Sequence, residues 1–205
     1  MENEFHIILA YQEPIISSEV VADFEGDIQS PGLNVRVESL PMMGARAGIE
    51  LLLPTLIVVY FLKPYFESFL SEMGKDHYAM AKRALLNVQA RIKSKLGGHI
   101  KIFVSEGKRV DHAVKFSPFF SIEAQSPLGY RVKLLIQTEI QLDQFNLAVE
   151  AYLRLMAQSH GIEELSEHSK LLLNIKPTGP VLLVCYDAEK GELKYVNPIP
   201  ERKQP

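Results

Sequence analysis

A single cysteine, Cys185, leaves the chain no partner for an intrachain disulfide, which fits a reducing compartment better than secretion. Tryptophan is absent, and so is a basic excess: 22 Lys and Arg stand against 25 Asp and Glu, for a formal charge of −3. Such a balance offers no general attraction for a polyphosphate backbone, so no nucleic-acid partner is expected. The backbone cradles that usually hold phosphates are missing, because no Gly-x-x-x-x-Gly-Lys-Ser/Thr and no Gly-x-Gly-x-x-Gly occurs. No serine sits in a Gly-x-Ser-x-Gly elbow, and no His-Glu-x-x-His or comparable zinc spacing is present. The sequence therefore names no catalytic, cofactor-binding or metal-ligating residue, and the expected cofactor complement is none.

Long hydrophobic runs are also lacking. The longest uncharged stretch lies between Glu50 and Lys63 and holds twelve residues. As a helix it would cover about 18 Å, against about 30 Å of bilayer hydrocarbon, so it cannot span a membrane alone. It could dock to one if Lys63 reached the interface and Tyr60, Tyr65, Phe66 and Phe69 anchored there.

What the chain has is the make-up of a globular protein. Hydrophobic residues are 47% and charged residues 23% of 205. That length suits one domain with a buried core. The organisation expected is one α+β domain over residues 1–197 with a flexible tail at 198–205. The start, Met-Glu-Asn-Glu-Phe-His, is acidic and unlike the basic head of a signal peptide, so a cytoplasmic location, with membrane association as an option, is the expectation. Charge is unevenly spread. Residues 1–50 carry nine acids and two bases, whereas residues 51–100 carry seven bases and three acids. The simplest consequence is that the acidic first quarter packs near the basic second quarter.

Patterning gives the elements. Phe5–Tyr11 and the alternating Leu33–Leu40 read as strands. Ala45–Leu53 looks helical. The segment Thr55–Leu62 is β-branched and aromatic, but its flanks favour a kinked buried helix, with Pro64 opening another helix that Gly74 ends. Asp76 is placed to cap a helix over His77–Leu96, whose Tyr78, Ala81, Leu85, Val88, Ile92 and Leu96 form one apolar stripe. His99–Val104 reads as a strand. Phe119–Ala124 and Tyr130–Gln137 read as a hairpin about Ser126-Pro127-Leu128-Gly129. A helix from Thr138, ended by Gly161, and a shorter one over Ile162–Leu173 follow, and a hairpin of Val181–Tyr186 with Glu192–Val196 closes the domain. The element order fits a mainly antiparallel sheet with two to four helices on one face.

Candidate chemistry is sparse. His77 follows Asp76 and His112 follows Asp111, but sequence neighbours on a helix do not face each other. His160, Glu163, Glu164 and His168 cluster at a helix junction and read most simply as a solvated corner. Ser105–Arg109 reads as a tight polar turn. Cys185 lies in an apolar strand, where a thiol behaves as a small hydrophobe. Together these features point to a non-enzymatic protein–protein interaction module, self-associating or partner-bound, with Leu56, Val59, Phe61, Tyr65, Phe66 and Phe69 as the expected contact residues. The alternatives are a membrane-docked protein using residues 47–70, and an enzyme of unfamiliar type using His77 or His160. The layout of early strands, Met43-Gly44 beside an apolar segment, a polar helix and then hairpins is loosely similar to small partner proteins that sit beside bacterial effectors. The likeness rests on Met43-Gly44 and element order, covers under half the chain and assigns no functional residue; it implies a bacterial accessory role.

Overall fold

The computed structural model describes residues 5–13, 16, 18–40, 55–68, 74–96, 115–177 and 179–198. The elements are β1 (Ile7–Gln12), α1 (Ser18–Ile28), β2 (Val35–Leu40), β3 (Ile57–Phe61), α2 (Lys63–Ser68), α3 (Gly74–Leu96), β4 (Phe116–Gln125), β5 (Arg131–Gln137), α4 (Leu142–Ser159), α5 (Glu167–Leu173), β6 (Val181–Asp187) and β7 (Glu192–Tyr195). The expected helix at 45–53, the strand at 99–104 and most of the tail at 198–205 lie outside the described residues, as do His112 and Phe69.

Among the described residues, seven strands join one sheet in the order β2-β1-β3-β4-β5-β6-β7. The class is α+β, but the sheet is mixed rather than mainly antiparallel, and the described residues include five helices. Pairings β1–β2, β3–β4 and β5–β6 are parallel, while β1–β3, β4–β5 and β6–β7 are antiparallel. The reason is connectivity. Each parallel pair is consecutive among the described strands and is joined through helices, and only such a crossover brings the chain back to start a parallel neighbour. Two features hid this from the sequence: the acidic stretch at 15–32 contains α1, and 55–62 is not a helix.

Thr55–Leu62 contains β3, between β1 and β4 in the sheet. Ile57, Val58 and Val59 are at most 1% exposed, so both faces of the strand are covered. A strand buried on both sides loses its alternation and reads like a buried helix, and here the β-branched side chains decide. Pro64 does fall in the first turn of α2, but α2 ends at Ser68, and Gly74 opens α3 instead of closing a helix. Asp76 thus lies inside the first turn of α3 and is not its cap.

One face of the sheet carries the main core. Ile7 and Leu9 of β1, Val59 and Phe61 of β3, Phe120 and Ile122 of β4, and Val132 and Leu134 of β5 pack there. They meet Val20, Phe24 and Ile28 of α1, Ala81, Leu85 and Val88 of α3, and Phe145, Val149 and Tyr152 of α4. The opposite face holds a smaller cluster of Phe116, Leu135, Val181, Leu183 and Cys185. The charge asymmetry of the sequence is realised between α1 and α3, where Arg91 meets Asp27 at 2.9 Å and Asp23 at 3.4 Å. Gly161 ends the α4 region with φ +76°, and Gly129 and Gly191 hold the two hairpin turns with positive φ. These are conformations that side chains resist.

Gly26 is different. It sits inside α1, and a Cβ built there would meet nothing within 4 Å. Gly26→Ala is therefore expected to stabilise the protein by roughly 0.5–1 kcal/mol, read from denaturant midpoints, because only the flexibility of the unfolded chain is lost.

Candidate functional site

The residues singled out as contacts are core. Val59, Phe61, Tyr65 and Phe66 are all 0% exposed, and Leu56 packs against the same core. Phe61 and Tyr65 rings lie 4.7 Å apart, and Tyr65 and Phe66 meet edge-on at 5.2 Å. Val59, Phe61, Tyr65 and Phe66 are thus buried within the folded chain, because β3 is a central strand and α2 folds its aromatics back under it. His160 closes the cluster, stacked on Phe66 at 4.6 Å with its Nε2 2.8 Å from the Gln125 carbonyl. Burial holds its pKa below the usual imidazole value. The geometry is that of a packing residue, and His160→Ala is expected to cost about 1–2 kcal/mol by thermal or chemical denaturation.

The other described candidate histidines each make a main-chain hydrogen bond, and the cysteine is buried. His77 is buried on α3, and its Nε2 lies 3.1 Å from the Pro31 carbonyl, so Nε2 carries the proton. His168 bridges α5 to β7, with Nε2 2.6 Å from the Leu193 carbonyl and Nδ1 3.3 Å from Glu192. Glu164, in the same expected cluster, precedes α5. Cys185 is 1% exposed, and burial pushes its thiol up, away from the reactive thiolate. Among the described residues no group of three His, Cys, Asp or Glu is placed to hold a metal. No described helix is long and apolar enough to cross a membrane.

Two further places stand out in the structure without a motif in the sequence. The first is a buried charge cluster on the sheet face opposite the helices. Glu123 of β4 stands directly across from Lys133 of β5, with Oε1 3.6 Å from Nζ, and their side chains are 5% and 1% exposed. Arg131, one pleat along, reaches the other carboxylate oxygen at 2.9 Å. Burial lowers the Lys133 pKa, and Glu123 opposes that shift. Burial also raises the Tyr60 phenol beside the cluster. Charges this well paired across neighbouring strands clamp β4 to β5 and leave nothing free to act on a ligand. A signal for the pair existed: residues 123 and 133 are equidistant from Leu128 at the turn.

The second place is the edge of the sheet. Among the described residues β2 has one neighbour, β1, and forms an edge six residues long. Asn34 turns its main chain inward, its carbonyl accepting from His6 and Ile7 and its N–H donating to His6 Nδ1. Main-chain direction alternates along a strand, so Arg36 and Glu38 face β1, whereas Val35, Val37 and Ser39 present N–H and C=O outward. Their side chains have the opposite significance: Val35 and Val37 point to the helix face and pack on the core. Beside this edge lies a groove of about 600 Å³, lined by Phe5, by Glu25 and Gln29 at the end of α1, by Ser30, Pro31, Leu33 and Asn34 of the connection, and by Val35. That volume is within the roughly 300–1,000 Å³ of ligand sites. His77 fixes the wall of the groove through its bond to Pro31. Phe5 remains 37% exposed, and the Arg36 guanidinium lies 5.4 Å from its ring centre.

Comparison with known protein families, characterised proteins and solved structures returns no match to this chain.

Proposed function

We propose that this chain is a protein-interaction module that binds an extended segment of a partner by adding it as a strand outside β2. The observation that carries the reading is a coincidence in space: outward main-chain groups of Val35, Val37 and Ser39 run alongside a groove between α1 and β2. An edge strand supplies hydrogen bonds to any extended backbone, and a groove beside it selects alternate side chains. The opposite edge is less suited. It is four residues long, and His168 already takes the Leu193 carbonyl there.

Panning the purified chain against a displayed library of random decapeptides tests this reading. Enrichment of sequences that compete with one another for one site is expected. Recovery no better than from a surface without protein overturns it.

A further inference from the structure

Resting on that strand-addition reading, we infer that the partner segment carries a lysine or arginine that enters the groove and pairs with Glu25. Glu25 lines the groove and has no ion pair among the described residues, whereas its helix neighbours Asp23 and Asp27 are both engaged by Arg91. The helix it belongs to holds four acids and no base, and its last turn in particular has no basic residue. The groove therefore opens at the carbonyl end of α1, where the helix dipole also favours a positive charge. Gln29, just past that end, adds a neutral acceptor.

The apolar part of the lining suits the same side chain. Phe5 and Leu33 flank the groove and can cover the methylene stem of a long basic residue while its head meets Glu25. The face of Phe5 already attracts one cation, Arg36. On a strand added outside β2 every second side chain points to the helix face, as Val35 and Val37 do, so one residue of the segment reaches the groove without straining its neighbours. An acidic residue there would face Glu25 as a like charge, which gives the site discrimination as well as affinity.

The test pans the displayed decapeptide library in parallel against the wild type, E25Q and E25K. Glu25 is partly exposed and has no ion-pair partner among the described residues, so both variants leave the core intact; circular dichroism melts check this. With the wild type, Lys and Arg are expected at one position at least tenfold over Asp and Glu. The preference should fade with E25Q and turn acidic with E25K. In titrations, replacing that basic residue of a selected peptide by alanine should weaken wild-type binding about tenfold and leave E25Q binding unchanged. Peptides enriched without charge preference, or a basic preference that survives E25K, overturn the pairing with Glu25 and leave strand addition standing. Absence of any enrichment over the bare surface overturns strand addition itself.

Discussion

Replacing Glu123 by glutamine is expected to destabilise the protein by about 3–5 kcal/mol at neutral pH, because Lys133 is left charged and buried with its counter-ion gone. The loss should shrink as pH rises. Lys133 has a folded pKa below its unfolded value of 10.5, so the unfolded chain binds more protons over the window between the two, and stability climbs with pH across it. Glu123 is what holds the folded pKa up against burial. Removing it lowers that pKa further and extends the window downward. The stability gap between wild type and Glu123→Gln should thus be widest below the variant's folded pKa and narrow as pH rises to the wild type's folded pKa, measured as denaturant midpoints across pH 7–10. The double variant Glu123→Leu with Lys133→Met should recover most of the loss, since apolar groups of similar size need no counter-charge. A single variant that unfolds at the wild-type midpoint would show that the pair contributes nothing.

The second large effect falls on binding rather than stability. Val37→Pro should weaken a library-selected peptide at least tenfold, read by fluorescence anisotropy. The outward N–H of Val37 is one of the donors an added strand would use, and proline removes it and puts a ring in the strand's path. One main-chain bond contributes on the order of 0.5–1.5 kcal/mol net, so a lost bond plus the steric block reaches a tenfold change, about 1.4 kcal/mol. The fold should tolerate the change at a cost of about 1–3 kcal/mol, because pairing with β1 uses the other side of the strand and only part of the Val37 packing is lost. Unchanged affinity in the folded Val37→Pro variant would place the peptide elsewhere.

Local signals in the sequence were informative where the structure is local. The Ser126-Pro127-Leu128-Gly129 turn joins β4 to β5 as expected, with Gly129 at φ +87°, and α4 and α5 fall within their expected spans. The stripe of Ala81, Leu85, Val88 and Ile92 is the buried face of α3. What failed was local pattern overridden by position. β3 is covered on both faces and so lost the alternation that marks a strand. α1 was obscured by its acids, although Val20, Val21, Phe24 and Ile28 repeat on one face. With those two elements hidden, the sequence shows no parallel crossover, and a mainly antiparallel sheet is the natural expectation. For the same reason the sequence does not show that Phe61, Tyr65 and Phe66 are buried in the core. Tyr65 and Phe66 follow a central strand, and their apolar character is accounted for by the core. The edge and its groove need the strand order, which no local pattern encodes; the excess of acid on the first fifty residues was their one trace.

Amide hydrogen exchange on β2, with and without a selected peptide, tests strand addition most directly. The expected result is new protection at alternate positions, Val35, Val37 and Ser39, while Arg36 and Glu38, whose amides already face β1, stay as they were. Uniform protection along β2, or protection confined to another part of the sheet, would contradict a strand added at this edge.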